Sequence, residues 1–145
     1  MAKAPDVLTH PILGALAWEP AYCCWYGQHE LPGGGVLFVQ VDPGGDRCAS
    51  LKRAADLFLW AMKNEPQVLR QAVEAMLELQ GWRQGGAGPS AEELKRELEW
   101  QGLAIRDGGD VPVEFGYGAG RLFGGQAVVV ELDAELRFLD VDLRE

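Results

Sequence analysis

Cysteine, histidine and serine are scarce in this 145-residue chain, and each shortage removes a class of chemistry. The cysteines are Cys23, Cys24 and Cys48. Small secreted domains stapled by disulfides use many more, so these read as small core residues in a reducing compartment. Cys23 and Cys24 are adjacent in an expected strand, which sends their side chains to opposite faces. His10 and His29, the only histidines, leave zinc without a convincing ligand set. Ser50 and Ser90 are the only serines, and neither sits in a GxSxG elbow. Cys24 and His29 do not make a nucleophile and base, because five residues along one strand span roughly 16 Å.

Positive charge is also short. Thirteen Lys and Arg face 22 Asp and Glu, a formal net charge of −9. Nucleic-acid binding needs a basic footprint and is opposed by this balance, which serves solubility or, in a sharper reading, a surface that meets a basic protein. No window approaches the ~20 apolar residues of a membrane span, and MAKAPDVLTH lacks the apolar core of a signal peptide. A cytoplasmic location away from membranes is the expectation. No GxxxxGK[ST] occurs, and the Gly-rich stretch from Gly116 to Gly125 leads into a strand, whereas phosphate cradles open a helix. No cofactor or metal is expected. Glu131, Asp133, Asp140 and Asp142 could gather on one hairpin, but nothing beside them supplies the carbonyl and amide ligands that complete a calcium site.

What is present is alternation. Val111, Val113, Phe115 and Tyr117 interleave with smaller or polar residues at the strand period of two, as do Val128, Val130 and Leu132, and then Leu139, Val141 and Leu143. Leu103–Arg106 adds a strand, joined to the next by the turn Asp107–Asp110. Upstream, after a flexible start over residues 1–10, Ile12–Trp18, Ala21–Leu31 and Val36–Val41 read as a meander of three strands. Trp18, Tyr22, Trp25 and Tyr26 cluster there, either as packing or as a stacking surface for a ligand.

The middle of the chain changes to helical spacing. Leu51, Ala54, Ala55, Phe58 and Met62 predict a helix over Ala49–Lys63. Asn64 reads as a break and Pro66 as the first turn of a second helix with Leu69, Ala72, Val73, Met76 and Leu79 inward, closed by Gly81. Ser90 and Glu93 form a capping box for a third helix reaching about Glu99, with Leu94 and Leu98 inward. The expected fold is therefore a single α+β domain over residues 1–145, of order βββ-ααα-ββββ, with about three helices covering one face of a largely antiparallel sheet. Phe58 and Met76 should pack on the sheet face of Phe115 and Val130.

ILGALAW with its following aromatic strand, the GW at Gly81 and Trp82, SAEELKREL, and FGYGAGRLFGGQAVVVELD together resemble the bacterial family called domain of unknown function 2262. The similarity runs from about Pro11 to Leu143, and the LFGG corner, Leu122–Gly125, is its most specific piece. It implies an α+β bacterial cytoplasmic protein without an established activity, and a histidine directly after the corner. This chain has Gln126 there, which hydrogen-bonds but does not titrate. Similar small acidic domains occur among immunity proteins that neutralise toxins.

Two functional expectations follow. In the first, the protein is a non-enzymatic binding domain, of the immunity type, whose carboxylates Glu114, Glu131, Asp133, Asp140 and Asp142 meet a basic partner such as a toxin domain. Solvation is the competing account of that acidic face. In the second, a small-molecule or enzymatic site uses the Gly-rich corner, with Tyr117, Arg121 and Gln126 lining a pocket.

Overall fold

The computed structural model describes residues 6–44, 48, 50–80, 88–120 and 122–144. Four strands come first: β1 (Val7–His10), β2 (Gly14–Glu19), β3 (Cys24–Glu30) and β4 (Val36–Asp42). Among the described residues two helices follow, α1 (Leu51–Leu79) and α2 (Ala91–Glu97). Four more strands complete the chain: β5 (Glu99–Arg106), β6 (Val113–Gly118), β7 (Ala127–Leu132) and β8 (Phe138–Arg144). All eight strands lie in one sheet in the order of the sequence. Every neighbouring pair is antiparallel except β4 and β5. That parallel pair needs a long crossover between its strands, and the two helices are that crossover.

The order ββββ-αα-ββββ corrects the expected βββ-ααα-ββββ at two places. Val7–His10, expected to be a flexible start, is a strand paired along β2 from Val7↔Ala17 to His10↔Gly14. The turn between them is held by His10, whose Nδ1 accepts from the amides of Ile12 and Leu13. The second correction is larger. The two expected helices are one helix of 29 residues with Pro66 inside it.

The physical reason lies in the apolar stripe. Leu51, Ala54, Ala55, Phe58, Ala61, Val68, Ala72, Val73 and Met76 are all buried, and their spacing keeps phase through Pro66. Proline inside a helix removes one hydrogen bond at a cost of ~3 kcal/mol, which burial of a handful of stripe residues at ~1.5–3 kcal/mol each outweighs. Asn64, read as a break, sends its side-chain amide to the Trp60 carbonyl at 2.8 Å and stays in the helix. Gly81, the expected stop, and Trp82 lie outside the described residues. α2 begins on the expected capping box, with Ser90 Oγ accepting from the Glu93 amide at 3.2 Å and Glu93 Oε1 accepting from the Ser90 amide at 3.4 Å.

α1 runs obliquely over the sheet. Phe58 lies 4.5 Å from the ring of His29 on β3, Trp60 meets Phe115 of β6 edge-on at 6.5 Å, and Met76 and Leu79 share a cleft with Val141 and Leu143 of β8. Phe58, Met76, Phe115 and Val130 are all buried, as the alternation and the helical stripe required. Trp25 and Trp18 pack edge to face at 5.1 Å in the same core.

Leu139 is the exception on the sheet. A bulge in β8 changes the register from Glu131↔Asp140 to Leu132↔Phe138. Phe138 therefore packs against the core, and Leu139, expected inward, is 49% exposed. The cysteines also divide: Cys24 is buried, whereas Cys23 and Cys48 are exposed and not core residues.

Candidate functional site: the helix-free face of the sheet

Cross-strand register determines which side chains share a face. On the side away from α1 and α2, one row passes through Ala17, Tyr26, Gln40, Ala104, Glu114, Glu131 and Asp140. The next row passes through Gln28, Phe38, Gly102, Gly116, Val129 and Asp142. Where the rows cross the middle of the sheet they enclose an open groove of about 220 Å³. Gly102, Ala104 and Gly116 form its floor, Tyr26 and Phe38 one wall, and Val129 and Glu114 the other.

The floor is low because Gly102 and Gly116 are direct partners on β5 and β6. Neither has a positive φ. A methyl group added to Gly116 would come no nearer than 3.8 Å to another atom, and one added to Gly102 no nearer than 3.9 Å, which is ordinary contact. Glycine inside a strand weakens it by roughly 0.5–1 kcal/mol relative to alanine. A strand glycine marks a bulge or a place left open for close approach; the β5–β6 register shifts between Trp100 and Gly102, whereas Gly116 sits in regular pairing. Gly118 differs, since a Cβ there would lie 2.7 Å from the Gln101 side chain.

One wall continues into an aromatic surface. Phe38 is 54% exposed, and Tyr26 also lines a second cleft of about 350 Å³ with Trp18 and Tyr22. The aromatic cluster thus divides by face: Trp25 packs in the core, and Tyr22 and Tyr26 look outward. Burial pushes the Tyr26 phenol up from its usual range, so it stays a neutral hydrogen-bonding group. Cys24, next to this surface, accepts from the Gln40 side-chain amide at 3.3 Å, and its thiol donates to the Tyr22 carbonyl at 3.1 Å. Burial raises the Cys24 thiol pKa, which suppresses the reactive thiolate.

The other end of the face is charged, and its carboxylates have partners. Glu114 is held between Arg106 Nη1 and Arg144 Nη1, each at 3.2 Å, and Arg144 also reaches Glu131 at 3.8 Å and Asp142 at 3.5 Å. The structure thus gathers Glu114, Glu131 and Asp142 around Arg144, with Asp140 set opposite Glu131 by the strand register. Asp133 is elsewhere. It closes the turn between β7 and β8, accepting the amides of Glu135 at 3.0 Å and Arg137 at 2.9 Å. Those backbone bonds, the Arg137 one foremost, hold its carboxyl below the usual range. Among the described residues, no group of three or more His, Cys, Asp or Glu is placed to hold a metal ion.

The Gly-rich corner does not assemble the expected pocket among the described residues. Tyr117 points to the helix side, buried, and its hydroxyl donates to Glu65 Oε2 of α1 at 3.2 Å. Gln126 closes the corner itself, its amide donating to the Phe123 carbonyl at 3.1 Å, and Gly124 and Gly125 supply the positive φ that this turn needs. Arg121 lies outside the described residues.

No helix among the described residues is long and apolar enough to cross a membrane. Scans of the chain against protein-family models, curated proteins and solved structures give no match.

Proposed function

We propose that the protein is a binding domain that receives a basic protein segment on the helix-free face of its sheet, with an apolar side chain of that segment seated over Gly102 and Gly116. The observation that carries this reading is the pair of facing glycines that neither φ nor crowding requires, beneath exposed aromatic walls. Protein interfaces concentrate their binding energy where a central pocket takes an anchor side chain beside aromatic residues, and Tyr22, Tyr26 and Phe38 supply that setting. The charge balance sets the partner's sign. On the face itself the carboxylates of Glu114, Glu131, Asp140 and Asp142 outnumber the guanidiniums of Arg106 and Arg144, and the whole chain carries −9. The same charge opposes a second copy of the chain docking face to face.

The acidic residues become a steering rim, and the contact that holds the complex is apolar. Immunity-type neutralisation of a toxin is the narrower form of this proposal, and it rests on the family resemblance alone.

Selection from a random peptide-display library, with counter-selection on the Gly102→Val/Gly116→Val protein, tests the recognition chemistry. Enrichment of Lys- and Arg-containing peptides with an aromatic or aliphatic residue is expected. Enrichment of acidic peptides, or peptides that bind both proteins equally, would remove the groove from the account.

A further inference from the structure

The two edges of the sheet are built differently. β8, at one edge, carries Asp140, Asp142 and Arg144 and is kinked by its bulge. Its Val141 and Leu143 amides are taken by the side chains of Asp140 at 2.8 Å and Asp142 at 2.9 Å. Charges and bulges are what keeps an edge strand from pairing with another chain. β1, at the other edge, has neither: its register with β2 is regular, and no Asp, Glu, Lys or Arg occurs from Val7 to Trp18 in a chain that is 24% charged. The direction of its hydrogen-bonding groups follows from that register. Trp18 donates its amide to the Asp6 carbonyl at 2.6 Å, and antiparallel bonding alternates, so Leu8 and His10 also face β2. Val7 and Thr9 therefore point their N–H and C=O groups away from the sheet, and among the described residues no hydrogen bond reaches them. Val7 is moreover 65% exposed, an apolar side chain on an open edge.

We propose that β1 pairs antiparallel with β1 of a second copy of the chain, joining two sheets edge to edge about a twofold axis at Leu8. In that register Val7 of each copy faces Thr9 of the other. The two outward amides of each copy donate to the two outward carbonyls of the other, four hydrogen bonds in all. The match in length favours a copy of this chain over a longer extended segment of another protein, which would overrun a strand of four residues. Charge permits it too. Glu114, Glu131, Asp140 and Asp142 are on β6, β7 and β8, at least five strand spacings from β1, which is roughly 24 Å and about three Debye lengths. The repulsion that opposes two copies face to face therefore does not oppose them at this edge. Because the contact is isologous and β8 is blocked, the assembly closes at two. The interface is short and of the transient kind, and it leaves the groove over Gly102 and Gly116 open, so it is independent of the protein-binding face.

Sedimentation velocity from about 5 to 500 µM measures the association, and amide hydrogen exchange locates it. A reversible dimer is expected, with exchange at Val7 and Thr9 slowing as concentration rises. Val7→Asp/Thr9→Asp sets like charges directly opposite each other across the axis and should weaken the dimer at least about tenfold, whereas Val7→Lys/Thr9→Asp sets opposite charges there and should retain it. Both change the same two exposed side chains, so damage to the β1–β2 hairpin would appear in both, and circular dichroism checks each fold. Thr9→Pro, which removes an amide outside the β1–β2 ladder, should leave a folded monomer. A parent that stays monomeric to about 500 µM, a dimer in which Val7 and Thr9 exchange as they do in the monomer, or equal association of the two double variants would each overturn the proposal.

Discussion

Gly102 on β5 and Gly116 on β6 stand opposite one another near the centre of an eight-stranded sheet, on the face that neither α1 nor α2 covers. Their backbones would accept a side chain, and the space above them would hold one. Gly102 flanks the register shift in β5, and Gly116 opposite it answers to no crowding and no positive φ of its own. Replacing both with valine should leave the melting temperature unchanged or raise it, because each change removes unfolded-state freedom at about 0.4–1 kcal/mol and adds a strand-favouring residue. Thermal melts followed by circular dichroism measure this. A loss beyond about 1 kcal/mol would mean that the glycines serve the backbone.

Beneath that face, Phe115 is fully buried between Trp60 and Trp100. Phe115→Ala should lower stability by about 3–5 kcal/mol in denaturant melts, as large-to-small core changes do. A loss under about 1 kcal/mol would place the ring outside the core.

Asp133 makes a separate prediction about acid. Its folded pKa lies below the ordinary 3.8, so its contribution is present above the unfolded value and is lost as pH falls through the folded one. Carboxyl-carbon NMR should give Asp133 a midpoint below 3.8, and Asp133→Asn should remove the matching acid-side slope in stability. A midpoint at or above 3.8 would contradict the turn geometry. Replacing Glu131, Asp133, Asp140 and Asp142 together by Lys should for the same reason lower the melting temperature, since it removes both the turn closure and two partners of Arg144.

Glu65 behaves with the opposite sign. Burial raises its folded pKa above 4.5, so its protonated form favours folding below the unfolded value, and that advantage disappears as pH rises through the folded one. Glu65→Gln, neutral at every pH, should melt above the parent at pH 7.5 and show a smaller difference at pH 4. A pH-independent difference would mean that the carboxyl is solvated.

The parts of this structure legible in the sequence were local ones. Alternation within β6 and β7 placed Phe115 and Val130 inward, and Ser90 with Glu93 marked the start of α2. The errors came from interactions between elements. Leu139 lies outside because a bulge depends on the partner strand's register, which no single strand displays. Asn64 and Pro66 read as a break because local propensity carries no information about the sheet that α1 covers. Arg144 was legible, since the alternation that groups Asp140 with Asp142 also reaches it. Glu65 was visible too, as a charged residue in phase with Ala61 and Val68. The facing of Gly102 and Gly116 was not, because it exists only in the register between β5 and β6.

In the complex we propose, a basic partner seats an apolar side chain over those two glycines. Quantitative mass spectrometry of proteins captured from the source organism's lysate, with the adjacent gene's product co-expressed, compares the parent protein with the Gly102→Val/Gly116→Val variant. The account predicts a basic protein retained by the parent at low salt, released by raised salt, and depleted on the folded variant. The same proteins captured in equal amounts by both would contradict it.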